Sequence, residues 1–301
     1  RLNVSKVNYN DIVNVTHSAV IMENNYLKVI LLPAMGRVYR MIDKTTGNDL
    51  LWKNSIAAPN GANNDLGWWI WIGGIEYTLP GEEHGYTWAL KWDWYIDEKA
   101  GAVVTQIIEP TTGIVEILHF SLGDHSISLK TDVVLNNPSV TKTASYAHWT
   151  NVPFVPGPKN VLPDTTEFII PTKSIHIDPR WQKNLGNETQ EWLSSPLRYI
   201  KNWINGTKMG DLTSNGIEKE DNKTGQSFFG VYSHEDQEGG VRIFDVDATP
   251  GCDTWTYGFH PPSCFPQNNQ IAIGHCSYAE MWGGTVNHLE KLKTLSPGET
   301  L

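Results

Sequence analysis

Apolar segments of strand length, each closed by a turn, follow one another along almost the whole chain. Two of them flank the turn Glu23–Asn25 in AVIMENNYLKVILLP, and GAVVTQIIEP, GIVEILHFSL and HSISLKTDVVLNN succeed one another at hairpin spacing. Short apolar runs that end in Gly, Pro, Asn or Asp are typical of antiparallel strands. The pattern therefore predicts an all-β fold, a large antiparallel β-sandwich with one or two short helices.

Helical signal is confined to short segments. In SSPLRYIKNWING, Ser195 suits an N-cap, Pro196 suits the first helical position and Gly206 suits the end, so this segment predicts a short helix. VNHLEKLKT is a second candidate, and the polar stretch 207–226 predicts a surface loop. Because no internal repeat or low-complexity linker interrupts the chain, we interpret residues 1–301 as one domain.

Composition and charge exclude several classes of partner. The formal net charge is −10, which argues against nucleic acid because phosphate binding needs clustered Lys and Arg. An acidic surface also disfavours anionic membranes, and no apolar run has the length of a transmembrane helix. The sequence starts at Arg1 and ends in LSPGETL, a turn that would lead into a further strand. We expect a piece of a longer polypeptide, whose other domains would be partners.

Cysteines and acidic residues give no metal pattern. Cys252, Cys264 and Cys276 are spaced C-x11-C-x11-C, which is not a zinc spacing, so they are buried thiols or include one disulfide. The acids of DVDATPGCD lack the EF-hand spacing and are interpreted as solvated loop acids, with a calcium site as the alternative. Nucleotide-binding, zinc-protease and serine-hydrolase motifs are absent from the sequence. We expect no metal and no cofactor.

Tryptophan is over-represented, with 13 Trp against 8 Phe. Several lie in GWWIWIGG, and the alternation of WALKWDWYID places Trp88, Leu90, Trp92 and Trp94 on one parity of a predicted strand. Indole rings stack well on the C–H faces of sugars, but large β cores also bury them. The aromatic content therefore leaves a sugar site and an aromatic core as alternatives.

Three stretches place a titratable group where chemistry could occur. His84 lies between carboxylates and Gly85 in GEEHGYTW, and His148 lies at a strand end in SYAHWTNVPF. Glu280 lies in the apolar strand HCSYAEMWGG, where a carboxylate must be paired or functional. Each also has a structural interpretation: a loop histidine bound to a local carboxylate, a satisfied core histidine, and an outward-facing charge on an edge strand.

Together these stretches resemble the galactose mutarotase-like (aldose 1-epimerase-like) superfamily. YLKVILLPAMGRVYRMIDKTTGNDLLW resembles its opening strands, EEHG and AHWTNV its two His elements, YAEMWGG its late Glu strand, and LSPGET its closing turn. The motifs occur in the superfamily's order over nearly the whole chain. The resemblance implies the superfamily's β-sandwich fold and the acid–base ring opening of an aldose.

The resemblance also implies a role for each residue. Glu280 would be the general base that removes the anomeric hydroxyl proton, His148 would be the acid that protonates the ring oxygen, and His84 would assist or share the acid role. Arg37 resembles the basic residue that holds sugar hydroxyls, with Arg40 as a rival. The other expected substrate-binding residues are Glu76, Trp88 and Trp149.

Two functions for a saccharide ligand remain open at this point. The first is an enzyme with epimerase or mutarotase-like activity, which the His and Glu residues favour. The second is a non-catalytic carbohydrate-binding or accessory domain of a multidomain polysaccharide-degrading enzyme, which the wealth of Trp favours. A paired-carboxylate glycosidase would instead need Glu76 and Glu280 to face one bond. Glycan-directed function predicts an extracellular or periplasmic location, with a cytoplasmic one as the alternative.

Overall fold

The computed structural model describes the 301-residue chain except residues 1, 9–10, 62–65, 82–83, 178–188, 205–208, 215–224, 258–277 and 286–290. Side chains are also left undescribed at residues 55, 60–61, 203–204, 209–214, 255–257 and 278–282. Strands make up 48% of the structure and helical residues 6%, and the sheets are antiparallel. The all-β sandwich predicted from the sequence is confirmed.

The described residues form the following strands in chain order. They are β1 Val20–Glu23, β2 Leu27–Leu32, β3 Arg37–Asp43, β4 Lys53–Gly61, β5 Trp68–Gly73, β6 Glu76–Thr78, β7 Asp93–Asp97, β8 Ala102–Ile108, β9 Val115–Ser121, β10 Lys130–Asn136, β11 Ala144–Tyr146, β12 Trp149–Phe154, β13 Thr166–Ile169, β14 Ser174–Ile177, β15 Thr189–Glu191, β16 Met209–Ser214, β17 Gln226–Ser233, β18 Glu238–Asp245, β19 Gly251–Tyr257, β20 Tyr278–Gly284 and β21 Lys293–Leu295. The helical elements are the 3-10 turns Val4–Lys6, Pro33–Met35, Thr87–Ala89 and Pro196–Arg198 and the single α-helical turn α1, Lys201–Ile204.

The chain divides into two compact units. Unit 1 comprises residues 1–48, 57–149 and 291–301, and unit 2 comprises residues 49–56 and 150–290. Along the described residues, no helix is long and apolar enough to cross a membrane. The interpretation of residues 1–301 as one domain stays a prediction.

Unit 1 is built on antiparallel sheets with the strand orders β1-β2-β3, β10-β9-β8-β7 and β11-β21. Strand β9 shows the period-2 pattern of a half-buried strand, because Glu116, Leu118 and Phe120 are buried and their neighbours are half-buried. Thr105 of β8 lies opposite Leu118, so it belongs to the same buried face. The apolar core of this unit includes Leu27, Val29, Leu31, Val38, Leu79, Trp92, Ile114, Leu118, Phe120 and Leu135.

A glycine at the entrance of β3 places the first residue of that strand. Gly36 has φ +58°, and a Cβ atom there would lie 2.6 Å from the indole ring of Trp92. The ring is fixed because Trp92 Nε1 donates to the Thr87 carbonyl at 3.0 Å and its backbone N–H donates to the Ala34 carbonyl at 3.0 Å. Only glycine meets both the left-handed conformation and the close approach. Arg37 follows directly and is therefore held against this packed corner.

Unit 2 contains a sheet in which the strands follow the order β15-β14-β16-β19-β20-β12, and a second sheet with the order β13-β17-β18. Two glycines let backbone and aromatic rings approach closely here: a Cβ at Gly240 would meet Phe154 at 2.5 Å, and one at Gly283 would meet Phe229 at 2.6 Å. The apolar core of this unit includes Leu51, Trp52, Phe154, Phe168, Ile175, Ile177, Trp192, Phe229 and Val231.

The helix predicted in SSPLRYIKNWING is replaced by two shorter pieces. Ser195 caps the 3-10 turn Pro196–Arg198 as expected, since its Oγ accepts the Leu197 N–H at 3.2 Å. The chain then straightens before the α1 turn. The second predicted helix, VNHLEKLKT, falls partly on residues 286–290 outside the described part, and its last residues belong to strand β21.

The polar stretch 207–226 is not a loop throughout, which corrects the sequence-based expectation. Strand β16 lies inside it and pairs with β19 from Met209↔Tyr257 to Ser214↔Cys252. Polar residues can form such a strand because sheet pairing uses backbone groups and is decided by the neighbouring strand as much as by local propensity. Cys252 is a buried thiol, as expected, whereas Cys264 and Cys276 lie outside the described residues.

We predict that Gly36→Ala destabilises the protein by about 2–4 kcal/mol, since it adds left-handed strain and displaces the Trp92 ring. Urea unfolding followed by tryptophan fluorescence measures the loss. Gly47→Ala is the matched control, because Gly47 also has positive φ but nothing lies within 4 Å of its added Cβ. Equal losses for the two variants would show that the contact with Trp92 is unimportant.

Candidate functional site

A buried ion pair joins the beginnings of strands β3 and β6 in unit 1. Arg37 Nη2 donates to Glu76 Oε2 at 2.8 Å, and Arg37 Nη1 donates to the carbonyl of Gly73 at 2.8 Å. The Gly73-Gly74 turn brings these acceptors close, since a Cβ at Gly74 would lie 2.4 Å from the Val38 carbonyl oxygen. The predicted substrate-binding residues Arg37 and Glu76 are therefore partners, and both side chains are buried.

His84 occupies the other oxygen of the same carboxylate. Its Nδ1 lies 3.3 Å from Glu76 Oε1, and its ring stacks on Trp69 with the centroids 4.0 Å apart and the planes 8° from parallel. The backbone of His84 is left-handed, with φ 67°, and Gly85 follows with φ +50°. This tight turn aims the imidazole inward, between a carboxylate in its plane and an indole on its face.

The charge on Glu76 follows from its surroundings. Burial raises the pKa of this carboxyl, but the Arg37 guanidinium and the His84 ring beside it lower it by more. The net result is a pKa for Glu76 below its ordinary value of 4.5. Glu76 is thus ionised at neutral pH. Because an ionised carboxylate only accepts hydrogen bonds, the Nδ1 of His84 donates in this contact.

Trp88 supports the His84 turn from within the protein. It is buried on the 3-10 turn Thr87–Ala89, its Nε1 donates to the Gly85 carbonyl at 3.2 Å, and its ring meets Trp68 edge-on at 4.9 Å. The strand expected over WALKWDWYID begins only at Asp93. The parity expectation therefore changes: Trp88 and Trp92 are buried, whereas Trp94 on β7 is partly exposed.

A second imidazole–carboxylate pair lies elsewhere in unit 1. His148 Nε2 lies 2.9 Å from Glu116 Oε1, and both residues are buried. Tyr77 packs near His148, with ring centroids 6.5 Å apart, and near Phe120, with centroids 5.9 Å apart. Since Glu116 and Phe120 are on the buried face of β9, His148 belongs to the interior of the unit.

The two imidazoles lie on opposite faces of strand β6. Glu76 and Tyr77 are consecutive residues of that strand, and consecutive side chains of a strand point to opposite faces. His84 contacts Glu76, whereas His148 packs against Tyr77. The structure thus brings His84 together with the predicted binding residues Arg37 and Glu76, and it places His148 on the other side.

The remaining predicted residues have separate positions. Arg40 is half-buried on β3 opposite Ile30, and Trp149 is buried on β12, where its carbonyl accepts from Thr78 Oγ1 at 3.5 Å. Glu280 is on β20 of unit 2, and its side chain lies outside the described residues. Within the described part of the chain, no cluster of three or more His, Cys, Asp and Glu side chains could hold a metal ion.

Two residues of these clusters were not predicted from the sequence. Glu116 could have been singled out, because it shares the parity of Leu118 and Phe120 in GIVEILHFSL and is thus a carboxylate on an apolar face. Trp69 was noted only as part of the aromatic block. Nothing in the local sequence distinguishes it from Trp71 as the ring that stacks on His84.

Comparison with known proteins gives both a family and a fold. The family model described as "Domain of unknown function (DUF5107)" matches residues 5–293. Among solved structures, the chain is similar to a galactose mutarotase related enzyme from Lactobacillus acidophilus, with a TM-score of 0.64, 12% identity and 94% of each chain covered. It is also similar to a galactose mutarotase-like protein from Lactobacillus casei, with a TM-score of 0.55, 12% identity, and 94% of this chain and 97% of that chain covered.

A third similarity has a different coverage. A TPR-domain containing protein from Parabacteroides distasonis matches with a TM-score of 0.74 and 20% identity, over 94% of this chain but 45% of that chain. The chain therefore spans less than half the length of that protein. At these identities the likeness establishes the fold, which is the galactose mutarotase-like fold. The resemblance inferred from the sequence motifs is confirmed.

We predict that Glu76→Gln costs about 3–5 kcal/mol of stability at pH 7, because Arg37 then remains buried without a counter-charge. The pKa of Glu76 is lower in the folded state than its ordinary value of 4.5. The stability that the carboxylate contributes is therefore present above pH 4.5 and is lost as the pH falls through the folded pKa. The gap between wild type and variant should therefore narrow in acid. Urea unfolding at a series of pH values measures it.

Glu23→Gln is the control for this experiment, because Glu23 pairs with Lys44 at 2.7 Å on the surface. Exposed pairs contribute little, so this variant should follow the wild type. A gap for Glu76→Gln that stays constant down to low pH would contradict the assignment of a buried carboxylate.

Proposed function

The chain belongs to the DUF5107 family, and we propose that it acts on saccharides by mutarotase-like acid–base chemistry at the anomeric centre. One observation carries the proposal. His84 is held by Glu76 in its ring plane and by Trp69 on its ring face, and Glu76 is itself fixed by Arg37. An imidazole oriented by a buried carboxylate is the arrangement that general acid–base catalysis uses.

Ring opening of an aldose needs one proton to leave the anomeric hydroxyl and one to reach the ring oxygen. Glu76 accepts the Nδ1–H of His84, so Nε2 is the nitrogen that exchanges a proton with the substrate. We assign the protonation of the ring oxygen to this nitrogen. The base that the resemblance implies is Glu280, and that role is part of the proposal.

His84 is preferred to His148 as the imidazole that meets the saccharide. His84 shares the Glu76 carboxylate with Arg37, which resembles the basic residue that holds sugar hydroxyls in the superfamily. His148 instead binds Glu116 among the apolar residues of the β9 face. A histidine paired in that way suits the structural role of a core histidine.

The substrate that fits this site is an uncharged saccharide. Arg37 carries a positive charge beside the carboxylate that His84 contacts, and that carboxylate, Glu76, neutralises it at 2.8 Å. A uronate or sugar phosphate would therefore gain little attraction from Arg37, because the ion pair as a whole is close to neutral. Because the ligand is a saccharide, we propose an extracellular or periplasmic location.

A second function, saccharide binding without turnover, is favoured by a different observation. The three clustered residues are only 2% exposed at Arg37, 3% at Glu76 and 2% at His84. The hydrogen bonds that join them are made to other groups of the same chain. The similar protein from Parabacteroides distasonis contains a TPR domain and is more than twice as long as the matching part. On this alternative the chain is the accessory domain of a longer polypeptide.

We predict that the protein accelerates the interconversion of the anomers of a neutral aldose, and that His84→Gln lowers the rate by about 100- to 10,000-fold. Polarimetry of freshly dissolved α-galactose and α-glucose measures the rate, with galacturonate as the charged comparison. His125→Gln is the control, because His125 is exposed and should leave the rate unchanged. Glu280→Gln should reduce the rate by a similar factor.

The two functions give different results in the same samples. Wild-type rates equal to those of buffer, together with saccharide binding detected by calorimetry, would replace the enzyme with the binding domain. Equal rates for wild type and His84→Gln would remove His84 from the mechanism. Faster turnover of galacturonate than of galactose would contradict the neutral substrate class.

A further inference from the structure

Trp69 makes an unusually close contact with the imidazole of His84. The two rings are 4.0 Å apart between centroids and 8° from parallel, so the indole is stacked on one face of the imidazole. Trp69 is buried on β5 and is braced by Trp71 on the same strand, with centroids 5.4 Å apart. The indole is therefore a fixed wall of the site, and the plane of the His84 ring is set by it.

The indole face is also an electrostatic partner. An aromatic face carries partial negative charge and attracts a cation placed over it, and tryptophan does this most strongly of the aromatic side chains. A neutral imidazole gains little from that field, whereas an imidazolium gains more, above all where water is excluded. The stack therefore favours the protonated form of His84.

The charged groups that face His84 act in two directions. The carboxylate of Glu76, 3.3 Å from Nδ1, attracts a second proton to the ring, while the cation of Arg37 beyond it opposes that proton. Glu82 and Glu83 adjoin His84 in sequence and lie outside the described residues. Burial of the imidazole also disfavours its charged form, and among the described groups the Glu76 carboxylate and the Trp69 face offset that cost.

We propose that Trp69 is a positioning residue that stabilises the imidazolium form of His84, so that His84 meets the saccharide as an acid. The saccharide in this inference rests on the proposed function, whereas the protonation state rests on the ring stack and on the charges beside His84. On this basis Trp69 does not need to touch the substrate. Trp69 instead sets the protonation state and the orientation of His84, which does touch the substrate.

The direct test is the titration of His84 in the ligand-free protein, followed by the proton and nitrogen NMR signals of its ring. Replacing the ring by an aliphatic side chain in Trp69→Leu should lower the titration midpoint by about one pH unit, which is a tenfold loss in proton affinity. Trp69→Phe keeps a weaker aromatic face and should fall between the two. Trp192→Leu is the matched control, because it removes a buried indole of unit 2 and should leave the midpoint where it is.

The rate of anomer interconversion gives the second readout. An acid must be protonated to act, so activity falls as the pH rises through the midpoint of His84. Trp69→Leu should therefore move the alkaline limb of the rate profile to lower pH by the same interval, and Trp69→Phe should restore most of it. A fall in rate with an unmoved limb would overturn the proposal, since it would mean a packing defect.

Folding failure and failure of the proposed function are distinguishable from failure of this inference. If Trp69→Leu does not fold, the comparison of wild type with Trp69→Phe decides, and equal midpoints overturn the proposal. If the wild type has no activity on any aldose while the midpoints follow the expected order, the proposed function fails and the electrostatic role of Trp69 stands. Activity in the wild type with equal midpoints in all variants leaves the function and removes the inference.

Discussion

The ion pair between Arg37 and Glu76 is the interaction on which the candidate site depends. It joins two strand beginnings, fixes one oxygen of the carboxylate by a guanidinium and leaves the other for His84. Taking two charges out of water costs free energy, and the direct hydrogen bond together with the Gly73 carbonyl offsets that cost only in this geometry. Removing either member of this buried pair would cost several kcal/mol of stability. The same strong contacts hold the two side chains in one geometry.

Backbone conformations at three positions bring the pair and His84 together. Gly36 lets β3 begin against the Trp92 ring, and Gly74 lets the turn before β6 come within contact distance of β3. The left-handed conformation of His84 and Gly85 then turns the imidazole back toward the carboxylate. Left-handed backbone at a non-glycine residue is costly and persists where the surroundings over-determine it. Here the surroundings are the Trp69 stack and the Trp88 hydrogen bond.

Much of the fold could be read from the sequence because turns and apolar runs are local signals. The strands β8, β9 and β10 follow the hairpin spacing of their segments, and Ser195 caps its turn as its type suggests. Strand β16 could not be found in this way, because Met209 and Leu212 are its only large apolar residues and its partner β19 is about forty positions away. Trp88 was wrongly placed on a strand, because the alternation of WALKWDWYID starts before the strand does. Trp88 lies on the 3-10 turn Thr87–Ala89, and β7 begins only at Asp93.

The site shows the same division between local and distant information. Arg37, Glu76 and His84 could be nominated as types, but their partnership depends on contacts between separate strands, as does that of His148 with Glu116. Strand alternation gives the strongest discrimination between the two histidines, because it places Glu76 and Tyr77 on opposite faces of β6. His84, which contacts Glu76, shares that carboxylate with a cation and stacks on an indole, so these contacts influence both its position and its protonation. His148, which packs against Tyr77, is enclosed by core residues and supplies a partner to one oxygen of the buried Glu116 carboxylate.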